Sequence, residues 1–150
     1  MIVTPSAHLG RIYRRLIDTY GELKNDHDYD PLGGLISTIL SQHTSDINSE
    51  RAFGQLVATF PTWEAVRDAP TYQVAETIRS GGLANIKAPR IQDALFTLTE
   101  QQQTQASTKS LSEYLFDEMV ERTPAEAWRY LRRIPGVGPK TAAASSCLIW

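Results

Sequence analysis

The sequence predicts an all-α protein built from many short helices. Apolar residues recur three and four positions apart along most of the 150 residues, which is the periodicity of an amphipathic helix. No segment alternates apolar and polar residues in the way that a half-buried strand does. Capping residues, glycines and prolines recur between the apolar segments and are typical of helix ends. We therefore expect a helical domain with short connections.

The first half of the chain predicts five helices in close succession. The first has an apolar face made of Leu9, Ile12, Tyr13, Leu16, Ile17 and Tyr20. The others are expected at 35–40 after Gly33-Gly34, from Thr44-Ser45-Asp46 to about residue 60, from Thr62 to 66, and at 71–79 before Gly81-Gly82. Pro61 and the Gly81-Gly82 pair supply the stops.

The second half predicts a longer helix, a loop and two capped helices. Asn85 is expected to begin a helix that continues to 98, and the polar, glutamine-rich segment 100–108 is expected to be a solvated loop. Two capping boxes then predict helix starts at Ser110 with Glu113 and at Thr123 with Glu126, the second with Pro124 at the first helical position.

The composition excludes several classes of protein. No apolar run approaches the ~20 residues that span a bilayer, and the N-terminus lacks the pattern of a signal peptide, so we expect a cytoplasmic, nucleoid-associated protein. The single cysteine, Cys147, can form no internal disulfide and cannot supply the thiolates of an iron–sulfur cluster or a zinc site. No cofactor is therefore expected in this chain.

A local cluster of cations contrasts with the net charge of −2. Arg129, Arg132, Arg133 and Lys140 are separated by no acidic residue, and the acids concentrate at 26–30 and 113–126. Binding to DNA phosphates depends on the local field rather than on net charge. On charge alone a solvated helix face explains the cluster equally well. The motif beside it favours nucleic acid.

That motif is the string Ile134-Pro135-Gly136-Val137-Gly138-Pro139-Lys140-Thr141-Ala142, which lies between a helix ending near Arg133 and one beginning near Pro139. Pro135 ends the first helix, and the two glycines permit a tight turn with exposed backbone. Val137 can fill the apolar gap between the helices. Backbone N–H groups at the start of the second helix can bind a phosphate. A glycine pair alone would be explained by a simple turn between helices.

The whole string resembles the helix–hairpin–helix of the endonuclease III (HhH-GPD) superfamily of base-excision DNA glycosylases. Two upstream segments are similar to the same family in the same order, namely 40–46 (Leu-Ser-Gln-His-Thr-Ser-Asp) and 82–85 (Gly-Leu-Ala-Asn), so that the resemblance covers 31–143. It implies that Gln42 fills the space left by an everted nucleotide and that Leu83 wedges into the base stack. Without the family, Gln42 would be read as a solvated cap residue and Leu83 as a helix-terminal contact.

The resemblance implies a role for most of the residues in the hairpin. Lys140 matches the family's catalytic lysine, which implies a glycosylase with associated lyase activity at abasic sites. A lysine that only binds phosphate is the alternative. The residues expected to contact DNA are Gln42, Leu83, Gly136, Val137, Gly138 and Thr141. His43 is given no catalytic role.

The chain also departs from the family. The family uses an aspartate beyond the lysine and, in many members, four cysteines for a 4Fe–4S cluster, and neither occurs before Trp150. We interpret the chain as truncated at its C-terminus, with Ser145-Ser146-Cys147 marking a frameshift, and expect impaired activity. Residues 1–30 are expected to be a helix of a split subdomain, and 31–150 the HhH-GPD domain with its hairpin at 134–140.

The expected partner is double-stranded DNA that contains damaged, mismatched or abasic sites, bound by a monomer. The sequence does not indicate which base is removed. Two other functions remain open: a non-catalytic hairpin module that binds distorted DNA, and a helical adaptor that binds protein and has no affinity for DNA. Trapping with borohydride on an abasic duplex separates an enzyme from a module, because only a reactive lysine leaves a covalent adduct.

Overall fold

The computed structural model describes residues 7–21 and 30–147, and these ranges are helical without any strand, which confirms the predicted all-α class. Their elements are α1 (Ala7–Tyr20), α2 (Pro31–Leu40), α3 (Asp46–Thr59), α4 (Trp63–Asp68), α5 (Thr71–Thr77), a 3₁₀ turn (Arg79–Gly81), α6 (Ala84–Thr104), α7 (Leu111–Val120), α8 (Pro124–Leu131) and α9 (Pro139–Cys147). None of the helices in these ranges combines the length and the apolar character needed to cross a membrane. Trp150 and most of the acidic segment 26–30 lie outside the described residues.

Helix α2 lies at the centre of the hydrophobic core. Its apolar side chains Leu32, Leu35, Ile36, Ile39 and Leu40 are all fully buried. The helix packs against α3, α6, α7 and α9. A helix that is apolar on most of its faces is stable only when it is surrounded in this way. The segment that follows its C-terminus, with Gln42, is therefore held close to α9.

Helix α2 begins four residues before the position predicted from the glycine pair. Asp30 is the N-cap, and its carboxylate accepts hydrogen bonds from the backbone N–H of Leu32 at 3.0 Å and from the indole N–H of Trp63 at 3.0 Å. Gly33 lies inside the helix, where an added Cβ would approach the Asp30 carboxylate to 2.8 Å. The glycine therefore makes room for the cap and does not open the helix.

The predicted loop at 100–108 is wrong over its first half, because α6 continues to Thr104. Glutamine and glutamate are good helix formers when a partner orders them. Gln101 has such a partner, since its side-chain carbonyl accepts a hydrogen bond from the Tyr130 hydroxyl at 2.7 Å. Asn85 does not begin the helix either: it is the second residue, and Leu83 occupies the N-cap position.

Both predicted capping boxes are confirmed. The Ser110 and Thr123 hydroxyls donate to the carboxylates of Glu113 and Glu126, the third residues of their helices. Each carboxylate also accepts a hydrogen bond from the backbone N–H of the cap residue.

The apolar face predicted for the first helix is exposed. The side chains of Ile12, Tyr13, Leu16 and Tyr20 on α1 are 45%, 64%, 51% and 82% exposed. The Leu9 side chain lies outside the described part of the structure.

Candidate nucleic-acid interface

The hairpin between α8 and α9 forms where the sequence predicts it. Helix α8 ends at Leu131, and a tight turn leads to α9 at Pro139. In the turn, the Val137 N–H donates to the carbonyl of Ile134 at 3.2 Å, and the Val137 side chain is only 5% exposed. Val137 therefore fills the gap between the two helices, as its position between the glycines indicates.

The two glycines of the hairpin have different roles. Gly136 has φ of +78°, and a Cβ added to it would lie 3.3 Å from the Cβ of Arg90 on α6. Gly138 has no left-handed φ, and no atom lies within 4 Å of an added Cβ. A glycine is thus required at position 136, because the φ angle is positive and Arg90 lies close. At position 138 the space around the backbone is open. Among the described residues neither backbone N–H has a hydrogen-bond partner, so both can serve an external acceptor.

A tryptophan braces the start of α9. The indole N–H of Trp128 on α8 donates to the carbonyl of Pro139 at 3.2 Å. The guanidinium of Arg132 stands 5.2 Å from the centroid of the Trp128 ring, a cation–π distance. These contacts fix the first turn of α9 relative to α8. Lys140 is the next residue, and its side chain is exposed.

The Gln42 segment contacts the same turn of α9. The side-chain N–H of Gln42 donates to the Thr141 hydroxyl at 3.1 Å, and Thr141 is buried. Two of the residues predicted to contact DNA are thus in direct contact with each other, and one of them, Thr141, directly follows Lys140 in the sequence. His43, which follows Gln42, is exposed with φ of +54°.

Leu83 is an exposed leucine in a strained backbone conformation. Its φ of +50° and ψ of +33° are left-handed, which costs a non-glycine residue roughly 1–2 kcal/mol. It also occupies the N-cap position of α6, where leucine is disfavoured, and it is 50% exposed. Gly81, two residues earlier, packs so closely on Ala52 that a Cβ would lie 2.9 Å from it. The fold therefore holds a large apolar side chain in solvent at local cost.

Two cations of α6 were missed by the sequence analysis. Lys87 is 1% exposed, and its Nζ donates to the carbonyls of Leu40 at 2.6 Å and Gly81 at 2.8 Å. Desolvation lowers the pKa of Lys87 below its ordinary value. The available signal was a lysine on the apolar stripe of the helix. Arg90 is exposed, and its aliphatic stem packs on Gly136, which brings a further cation to the hairpin.

The cation cluster of the sequence is divided in space. Arg129 and Arg133 line an open pocket together with Glu121 and Glu126. No acidic residue lies between Arg129 and Lys140 in the sequence, but two acidic residues lie beside Arg129 and Arg133 on the surface. The exposed cations nearest the hairpin glycines are instead Arg90, which lies against Gly136, and Lys140, which follows Gly138 by two residues, while Arg132 lies over the Trp128 ring.

The residues present do not fit an iron–sulfur cluster. The chain has one cysteine where such a cluster takes four thiolates. In the part of the chain that the structure describes, no three His, Cys, Asp or Glu side chains are grouped as metal ligands.

Comparison with known proteins identifies the family that the chain resembles. Residues 36–94, which include Gln42 and Leu83, match the family model of the HhH-GPD superfamily base excision DNA repair proteins. The chain belongs to the HhH-GPD superfamily. Among HhH-GPD relatives, a protein of Arabidopsis thaliana that bears the name of a DNA glycosylase is 39% identical over 118 residues, and endonuclease III of Thermotoga maritima is 30% identical over 119 residues. Each match covers 79% of this chain.

The chain spans less than half of these HhH-GPD relatives, 36% of the first and 47% of the second. A solved structure of a trapped endonuclease III–DNA covalent intermediate superposes with a TM-score of 0.66 at 19% identity. That superposition covers 95% of this chain and 59% of the other. It shows that the HhH-GPD fold is shared.

Proposed function

We propose that this chain binds duplex DNA through its hairpin and acts in base excision as a DNA glycosylase with lyase activity at abasic sites. The observation that carries the proposal is the contact of Gln42 with Thr141, because Gln42 is expected to fill an emptied base position and Thr141 directly follows the lysine expected to react. Family membership supports base-excision repair. The lyase step and the roles of single residues do not follow from family membership and are part of this proposal.

The first step is sequence-independent binding to a phosphate. Within the described ranges the N–H groups of Gly136 and Gly138 have no hydrogen-bond partner. Both lie in the turn that leads into α9, where the helix dipole favours an anion. Because Gly138 leaves open space, a phosphate can approach its backbone closely. Arg90, whose stem lies against Gly136, supplies positive charge beside the turn. Such contacts position DNA without reading its sequence.

The second step is extrusion of a nucleotide, which costs a few kcal/mol in lost stacking and pairing. Leu83 is the apolar wedge, and its exposure in a strained conformation fits a side chain kept for contact with a partner. Gln42 is the polar residue that takes up freed hydrogen bonds. Leu83 lies at the N-terminus of α6 and Arg90 seven residues later, so about 10 Å of helix joins the wedge to the hairpin.

The third step is nucleophilic attack by Lys140. The lone pair of its unprotonated amine forms a bond to C1′ of the deoxyribose, and the base leaves with the electrons of the glycosidic bond and takes up a proton. Opening of the sugar ring yields a Schiff base between Lys140 and C1′. Loss of a proton from C2′ then breaks the C3′–O bond and cuts the strand. At an existing abasic site the amine condenses with the aldehyde and releases water, and the same elimination follows.

Base excision and strand cleavage at an abasic site place different electrostatic demands on the site. Positive charge develops on the sugar as the base leaves, and a carboxylate near C1′ would stabilise it. Removing one preorganised electrostatic group typically costs about 10²–10³ in rate. Strand cleavage at an abasic site depends less on that group, because the base has already left.

Borohydride trapping on a duplex with one abasic site tests the proposal. Wild type and Lys109→Gln are expected to form a covalent adduct, and Lys140→Gln is expected to form none while still binding the duplex. Lys109 is the matched control because it is an exposed lysine paired with Asp117. An equal adduct in Lys140→Gln would refute the catalytic assignment. Binding without any adduct would favour the non-catalytic module, and no binding would favour the adaptor.

A further inference from the structure

We propose that Lys87 is a positioning residue that holds the Gln42 segment and the Leu83 segment in one fixed arrangement through a single buried amino group. The inference rests on the proposed function, because a fixed arrangement of the two segments affects DNA binding only if both segments enter DNA. The geometry on which it stands belongs to the free protein.

The two carbonyls bound by Lys87 have equivalent places in the two segments. Leu40 is the last residue of α2 and lies two residues before Gln42, and Gly81 lies two residues before Leu83. The distances from Nζ to these carbonyl oxygens are 2.6 and 2.8 Å. One side chain thus fixes the backbone from which each of the two DNA-facing residues projects.

The environment explains why a lysine is suited to this position. The C-terminal carbonyls of a helix lack partners within it and carry partial negative charge, so an amino group at Leu40 satisfies an orphan acceptor. The Lys87 side chain is 1% exposed and is the largest fully buried side chain of the described residues. Desolvation, which lowers the pKa of Lys87, opposes this burial, so the two hydrogen bonds are needed to hold the group.

The same helix provides a matched control. Gln92 lies five residues after Lys87 on α6, is 5% exposed, and its side-chain N–H groups donate to the carbonyls of Val66, Arg67 and Ala69. It therefore braces the backbone between α4 and α5, away from Gln42 and Leu83. Lys87→Met and Gln92→Leu each remove buried hydrogen bonds to main-chain carbonyls from one helix. The first substitution removes hydrogen bonds from the Gln42 and Leu83 segments, and the second removes them from the end of α4.

Amide hydrogen exchange in the free protein tests the arrangement without DNA. In Lys87→Met, exchange is expected to accelerate roughly tenfold at the hydrogen-bonded amides of both segments, Ser41 and Gln42 in one and Gly82 in the other, relative to amides of α7 in the same sample. In Gln92→Leu the acceleration is expected at 67–71 instead. Acceleration in only one of the two segments, or spread evenly over the chain, would overturn the proposal. If Lys87→Met does not fold, Lys87→Gln, which is one atom shorter and still a donor, carries the same test.

Binding to DNA tests the consequence. The ratio of the Kd for an undamaged duplex to that for a duplex with a tetrahydrofuran abasic site is expected to fall about threefold or more in Lys87→Met and to stay unchanged in Gln92→Leu. An unchanged ratio in Lys87→Met would overturn the proposal. If wild type binds neither duplex, the proposed function fails, and the exchange experiment alone decides whether Lys87 joins the two segments.

Discussion

The side-chain amide of Gln42 donates a hydrogen bond to the hydroxyl of Thr141 across 3.1 Å, although 99 positions separate them in the chain. Gln42 lies inside the range that matches the HhH-GPD family model, and Thr141 lies beyond its end. The contact therefore joins the segment with the clearest family likeness to the hairpin and its lysine. Candidate site residues that are far apart in the chain come into contact because α2 packs against α9.

Thr141→Val should weaken this connection. The valine keeps the shape of the buried threonine but offers no acceptor, so the half-buried amide of Gln42 loses its partner. We expect the free energy of unfolding to fall by about 1 kcal/mol. Preference for an abasic duplex should fall as well, measured as the ratio of two Kd values. Thr141→Ser retains the hydroxyl and should keep that preference. A Thr141→Val protein with wild-type preference would show that Gln42 does not depend on Thr141.

Substitution of Leu83 should weaken DNA binding without lowering the stability of the fold. Leu83→Gly removes the strain of a left-handed φ, and the side chain is half exposed, so the free energy of unfolding is expected to stay level or rise by up to about 1 kcal/mol. Leu83→Ala keeps the strain and should gain nothing. Both variants should bind an abasic or mismatched duplex more weakly, with a smaller loss on undamaged DNA. Equal losses on all duplexes would mean that Leu83 only supports the fold.

Gly138→Ala should impair binding while sparing the fold. An added Cβ meets no atom within 4 Å, so we expect a change in unfolding free energy within about 1 kcal/mol. The methyl group would instead obstruct a phosphate, and affinity should fall on damaged and undamaged duplexes alike. Gly136→Ala is the contrasting variant, since its positive φ and the nearby Arg90 stem make it destabilising in thermal unfolding. Wild-type affinity in Gly138→Ala would exclude this backbone as the phosphate contact.

Ser145→Ala should stabilise α9. The Ser145 hydroxyl is buried and has no hydrogen-bond partner among the described residues, and an unpaired buried polar group costs about 1–3 kcal/mol. We expect the urea midpoint to rise. Ser146→Ala is the matched control, because its equally buried hydroxyl donates to the Ala143 carbonyl at 3.0 Å. A gain for Ser146→Ala as large as that for Ser145→Ala would indicate that helix propensity alone is responsible.

The two capping boxes should make the fold sensitive to acid. Hydrogen bonds from the Ser110 and Thr123 side chains lower the pKa values of Glu113 and Glu126 below 4.5, the value for an unperturbed glutamate. Their contribution is present above the unfolded pKa and is lost as pH falls through the lower folded pKa. Glu126→Gln keeps the acceptor but cannot titrate. Its unfolding midpoint should therefore fall less than that of wild type between pH 5 and pH 3. A parallel fall would contradict this account.

The features that were predicted correctly depend on residues close together in the chain. Capping boxes such as Thr123 with Glu126 and the turn at Gly136 are set by chemistry within one or two helical turns, and helical periodicity indicates the all-α class. The hairpin, its glycines and Val137 were therefore found at the predicted positions. The resemblance to the HhH-GPD family also depended on short strings of this kind.

The features that were missed depend on contacts between distant segments. Helix α6 extends into the first half of the predicted loop because Tyr130 orders Gln101, and the cap of α2 at Asp30 is supported by the indole of Trp63. No local pattern contains such partners. Lys87 binds the carbonyls of Leu40 and Gly81, which are 41 positions apart, and Gln42 binds Thr141. Neither contact can be read from a local pattern. Packing of α2 and α6 brings these groups within hydrogen-bonding distance, and the arrangement of the candidate site follows from it.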